Sequence, residues 1–180
     1  MNASTRLHRT VLAALSTLTV AGAANAQSAS APARPCQGPE HRQFDFWVGQ
    51  WDVFVPSGKK AGENRIEVIA DGCALLEQWS GSGAVTGKSL SIYDAADKRW
   101  HQTWVDNGGT LLMLAGGLID GSIVMSTAPL SDATGSATND VQRVTWTPAA
   151  DGSVRQLWES STDRGKTWTV LFDGRYVRSR

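Results

Sequence analysis

Four stretches of the chain place tryptophan on the same alternating face as an amide or an acid. They are Glu77 and Trp79; Trp100, Gln102, Trp104 and Asp106; Gln142 and Trp146; and Gln156 and Trp158. In an extended strand alternate side chains share a face, so each set points one way. A solid core would fill such positions with Val, Ile or Leu, because an unpartnered buried amide costs about 1–3 kcal/mol. Indoles interrupted by a few placed polar groups are what a small-molecule pocket requires. The ligand-binding candidates are therefore Glu77, Trp79, Tyr93, Trp100, Gln102, Trp104, Gln142, Trp146, Gln156 and Trp158. Tyr93 enters from the neighbouring run, with Ser89 and Ser91. Glu77 is the charged member, and with Asp106 or Tyr93 it is the one candidate for acid–base chemistry.

Other chemistry is poorly provided for. The chain lacks a Gly-x-Ser-x-Gly elbow and a phosphate loop, and it has three histidines, His8, His41 and His101. Alternation turns His101 away from the Trp100–Trp104 face. No catalytic residue, metal site or cofactor is assigned. Lys plus Arg number 17 against 17 Asp plus Glu, which excludes the basic footprint of a nucleic-acid binder. At 41% hydrophobic and 19% charged residues the composition is globular.

Residues 1–26 read as a signal peptide. Arg6, His8 and Arg9 precede an apolar run from Val11 to Val20, and small residues ending in Ala24-Asn25-Ala26 follow. That run is too short to span a bilayer, and no later run is long enough, so no transmembrane segment is expected. Residues 27–35 (QSASAPARP) form a flexible linker, and the folded domain covers 36–180. The expected location is periplasmic or secreted. In such an oxidising compartment the two cysteines, Cys36 and Cys73, are most simply a disulfide, the alternative being two buried free thiols.

The elements that must position the candidates are short. About ten β-prone runs occupy the domain: 51–55, 64–70, 74–80, 88–93, 99–106, 110–115, 122–126, 141–147, 154–160 and 167–172, the last extended by sequence beyond Phe172. Turn dipeptides such as Asp71-Gly72, Asp120-Gly121 and Asp151-Gly152 separate them. Ten strands joined by tight turns describe an antiparallel meander, and closure removes its edges. The expected fold is an all-β, up-and-down antiparallel barrel. A short helical turn over Glu40–Val48 could plug one end, and the polar segment 130–140 reads as a rim loop.

The run Phe44-Asp-Phe-Trp-Val-Gly-Gln-Trp-Asp-Val53 resembles the opening of a family of exported bacterial domains of unknown function, written FDFWxGxWDV. Within it, Gly49-Gln50-Trp51 resembles the Gly-x-Trp signature of the calycin superfamily, the lipocalin and fatty-acid-binding-protein-like barrels. That resemblance implies a ligand cavity, with Trp51 at the start of the first strand and a barrel-closing Arg from the last strand. Arg178 fits, because 168 through 178 share parity if the strand runs on, which also places Trp168, Val170 and Phe172 together. Haem-binding members use a late histidine, and this chain has none after His101. Ser161–Trp168 (STDRGKTW) is similar to the Asp-box of sialidase propellers, but one box cannot build a propeller and implies only a hairpin turn.

The first functional reading is thus an exported barrel binding a small, mainly apolar or aromatic molecule. A cofactor-free isomerase, cyclase or hydrolase using the same cavity is the second. A filled structural or protein-interaction barrel is the third. The sequence names neither the ligand nor a protein partner.

Overall fold

Alternation of large apolar with polar residues, broken every eight to twelve positions by Gly and Asp, dictates strands that bury one face. In the computed structural model, which describes residues 35–127 and 140–180, these runs form ten strands. They are β1 (Gly49–Phe54), β2 (Lys60–Ile69), β3 (Ala74–Gly81), β4 (Thr86–Asp94), β5 (Arg99–Asp106), β6 (Leu111–Ile119), β7 (Ser122–Ser126), β8 (Val141–Pro148), β9 (Val154–Ser161) and β10 (Thr169–Arg178). Each pairs antiparallel with its sequence neighbour, and β10 returns to β1, closing the barrel. The leader over 1–26, the linker apart from Pro35, and the 130–140 segment apart from Asp140 lie outside the described residues.

Strand limits differ from expectation mainly where glycine interrupts the pattern. β2 begins at Lys60, ahead of Gly62, and β6 continues through Gly116 and Gly117 to Ile119. Both glycines that obscure these runs, Gly62 and Gly116, stand where another strand comes close: a Cβ on Gly116 would sit 2.0 Å from the Val124 carbonyl. The expected tight turn at Asp120-Gly121 has φ of 48° and 79°, the left-handed pair that suits a two-residue hairpin.

The shared parity of the last strand is corrected. β10 carries a bulge between Val170 and Phe172: Val170 pairs with Glu159, but Phe172 pairs with Trp158. One extra residue, Leu171, inverts the facing below it. Phe172, Gly174 and Tyr176 therefore point inward, whereas Val170 and Leu171 are exposed. Trp168 lies beneath the Arg143 guanidinium, 4.0 Å from the ring centroid, and not with Phe172.

Two 3₁₀ turns, Pro39–Arg42 and Asp45–Trp47, replace the single expected turn before β1. They insert Phe44 and Trp47, both fully buried, into one end of the barrel. Phe44 stacks on Trp47 at 4.9 Å and meets the rings of Trp100 and Trp146 edge-on. Cys36 and Cys73 form a disulfide that ties the segment before these turns to the start of β3. Arg42 reinforces the same tie by donating to the Gly72 carbonyl. This end is the floor.

Candidate functional site

Above the floor the barrel is hollow. A cavity of about 340 Å³ is walled by Trp79, Trp104, Trp158, Phe172 and Tyr176, with Leu112, Val144 and Ala61 between them. Its polar members are Glu77, Gln102, Gln156 and, among the residues near the β5–β6 turn, Asp106. The size lies at the lower end of ordinary small-molecule pockets.

Glycine shapes the walls. A Cβ on Gly87 would strike the Trp104 indole at 2.3 Å, and one on Gly174 would strike the Phe172 ring at 2.5 Å. Gly62 and Gly81 stand similarly close to Trp79. Each ring lies over an inward position that carries no side chain, which moves it back against the wall and leaves the centre open. Trp79 and Phe172 then meet edge to face at 6.1 Å.

Polar groups inside are cross-linked across strands. Glu77 is 4% exposed; it accepts from Asn64 Nδ2 at 2.7 Å and from Ser89 Oγ at 2.6 Å. Register explains this, since β3 places Glu77 opposite Ser89 of β4 and opposite Ile66 of β2, two residues along from Asn64. Asn64 Nδ2 also reaches the Tyr176 hydroxyl at 3.2 Å, and that hydroxyl donates to Gln156 Oε1. Gln102 Nε2 donates to Ser91 Oγ at 3.1 Å. Indole N–H groups are also committed: Trp104 donates to Asp106 Oδ2 at 3.3 Å, and Trp158 to Gln142 Oε1 at 2.8 Å.

Burial sets the charge of this network. Loss of water raises the Glu77 carboxyl above its usual range, against the two hydrogen bonds that lower it. Burial, and then the nearby Glu77 carboxylate, push Tyr176 well above the ordinary phenol value. Asp106 moves down, because Thr110 N–H and other donors of its turn hold the carboxylate. Inside the cavity, then, burial opposes ionisation of Glu77, while the donors of its turn favour ionisation of Asp106.

The sequence candidates divide between two places. Glu77, Trp79, Gln102, Trp104, Gln156 and Trp158 line the cavity. Gln142 stands behind Trp158 as its acceptor. Trp100, Trp146 and Tyr93 do not line it: they pack in or beside the floor, Trp100 and Trp146 on Phe44, and Tyr93 between His41 and Trp100. Alternation gives the face a residue occupies but not its depth along the barrel, which is what separates these three from the rest. Trp51 and Arg178 are at the floor as expected, directly opposite in the β1–β10 register, with the guanidinium 3.9 Å above the indole centroid. Arg178 also donates to the Val48 carbonyl at 2.6 Å, and Trp51 Nε1 to the Trp47 carbonyl at 2.8 Å. Gly49 has φ of 141°, and a Cβ there would lie 1.7 Å from Arg178 Nη1, so backbone and approach both favour the glycine of Gly-x-Trp.

Asn64, Tyr176 and Phe172 are site residues that the sequence reading missed. Asn64 was detectable as a polar residue at the inward parity of 62, 64 and 66. Phe172 and Tyr176 share the inward parity of the last strand below the bulge.

One cluster elsewhere resembles a ligand set. Asp94, Asp97 and His101 bring one ligating atom each within 4.8 Å at the β4–β5 turn. Asp94 and Asp97 already accept the Ala96 and Arg99 N–H groups of that turn, and Asp97 pairs with His101 at 2.7 Å. The Asp-box is likewise turn architecture: Asp163 accepts Lys166 N–H, Thr167 N–H and the Thr167 hydroxyl, which lowers its carboxyl to about 2.

Neither a protein-family model nor a curated protein matches the chain.

Proposed function

We propose that the chain is an exported, calycin-like barrel that binds a small, mainly apolar or aromatic molecule in the cavity above its floor. The observation that carries this reading is a roughly 340 Å³ void in a barrel with the aromatic residues to fill it. Glycines at inward positions hold three rings against the wall instead. Mainly apolar walls with a few placed polar groups are what a small-molecule pocket requires. The disulfide agrees with export, and no helix among the described residues is long and apolar enough to cross a membrane.

In this reading Gln102 and Gln156 orient the ligand through hydrogen bonds, and the indoles cover its body. Titration with small aromatic molecules, followed by tryptophan fluorescence, tests it. Saturable quenching that weakens in Gln102→Leu is the expected result; no saturable change with any aromatic ligand contradicts it.

A second reading has one observation behind it. Glu77 is a buried carboxyl with a raised pKa, 12 residues from Ser89 in sequence but hydrogen-bonded to it, and close to Tyr176, the pattern of an acid–base pair. Turnover of a bound molecule that vanishes in Glu77→Gln while binding persists would select this enzyme reading over simple binding.

A further inference from the structure

The lining of the cavity is one-sided in charge. Glu77 and Asp106 are its two acids, and no Lys, Arg or His is among the described residues that form it. An anionic ligand would lose its water there and meet no compensating cation. A cation would meet the opposite surroundings. Trp104 and Trp158 have already committed their N–H groups, so they offer ring faces rather than donors. Trp79 and Phe172 close another side. Ring faces attract an ammonium group, more strongly as it sheds water.

We propose that the cavity takes an organic cation, a quaternary or protonated amine on an aromatic-sized body, held among Trp79, Trp104, Trp158 and Phe172 between the two acids. This rests on the cavity being a ligand site, and it specifies the class of ligand.

A consequence follows from Glu77. Without a cation nearby, burial favours its neutral form; with an ammonium group close by, the carboxylate is favoured. Binding of a cation therefore favours loss of the Glu77 proton. The groups packed around Glu77 do not titrate in the same range. Asn64 of β2, Ser89 of β4, Gln102 of β5 and Gln156 of β9 are uncharged, Tyr176 of β10 stays protonated, and Asp106 of β5 stays ionised. His41 packs on Tyr93 below the cavity, and His101 pairs with Asp97 outside it. Affinity for a permanent cation should thus rise with pH below the free-state pKa of Glu77, by up to about tenfold per pH unit, and then level off. Affinity for a neutral ligand should not rise.

The test is a fluorescence titration of the folded protein with benzyltrimethylammonium, its uncharged carbon isostere neopentylbenzene, and phenylacetate, from about pH 5 to about pH 8. The expected result is tightest binding by the cation, by about tenfold over the isostere at the upper pH, with a pH slope for the cation alone. Glu77→Gln should flatten that slope. If Glu77→Gln does not fold, Asp106→Asn serves in its place, with an expected loss of a few-fold in cation affinity and none for the isostere. Equal or tighter binding by the isostere or phenylacetate, with no pH slope for the cation, overturns the cation assignment and leaves the cavity as a ligand site. No saturable binding by any of the three overturns both.

Discussion

Seven of the eight tryptophans face the interior of one barrel, yet its two halves use them differently. At the floor, Trp47, Trp51, Trp100 and Trp146 are each no more than 1% exposed and interlock with Phe44 and Tyr176. In the upper half, Trp79, Trp104 and Trp158 remain half-buried around a void. Residue type does not make the difference. The floor receives an inserted segment, the Phe44–Trp47 turns, whose rings occupy the axis of the barrel. The upper half has glycine at the inward positions beside its rings, so the same side chains lie back as walls. A tryptophan is core or lining according to what stands opposite and beneath it.

If that contrast is right, floor substitutions cost the most stability and cavity substitutions cost less. The largest expected effect is that of Trp51→Ala, which removes a buried indole, its hydrogen bond to Trp47 and the surface under Arg178. A loss of about 3–5 kcal/mol of unfolding free energy is expected by urea denaturation. A mutant as stable as the parent would break the comparison at once.

Next comes the disulfide that anchors the floor segment. Cys36→Ser with Cys73→Ser opens a loop with a sequence separation of 37, worth about 4 kcal/mol as an unstrained upper figure. Thermal unfolding should shift strongly, and by the same amount as on reduction of the parent protein. Insensitivity of the parent to reductant would show that the Phe44–Trp47 plug holds without its tether.

Smaller effects come from the cavity. Gln156→Leu removes the acceptor of the buried Tyr176 hydroxyl and should cost about 1–3 kcal/mol of stability. Gln102→Leu frees only Ser91 Oγ, a hydroxyl that can rotate to another partner, and should cost less than Gln156→Leu does. Equal losses for the two would mean that the Tyr176 hydrogen bond has no special weight.

The smallest effect is a slope with pH. Glu77 binds its proton more tightly in the folded protein than in the unfolded chain, so its contribution is favourable in acid and is lost as pH rises from the unfolded value towards the folded one. Asp163 does the reverse. Its lowered carboxyl contributes above the ordinary aspartate range and loses that contribution as pH falls towards about 2. Glu77→Gln should remove the decline on the alkaline side and leave the acid limb unchanged. A decline that persists in Glu77→Gln assigns it to another group.

Much of this was legible in the chain. Ten strands and their antiparallel order follow from alternation and turn residues, whereas the placing of Arg178 over Trp51 came from the likeness of Gly49-Gln50-Trp51 to a Gly-x-Trp opening. Two kinds of information were not local enough to read. Depth along the barrel depends on strand stagger, so Trp100 and Trp146 could not be told from Trp104 and Trp158. A bulge leaves no clear mark in sequence, so Leu171 silently inverted the face of Val170 and Trp168. The inward glycines were present throughout, but each reads as a strand breaker until the ring that covers it is known.

The most direct test of the two-halves account is native mass spectrometry of the protein purified from its own compartment without denaturation. A ligand in the upper half gives a folded mass exceeding that of the bare protein by one small molecule per chain, released intact when the barrel is unfolded. A bare mass, together with no saturable fluorescence response to any aromatic ligand, would contradict it and leave a barrel whose upper half is simply unfilled.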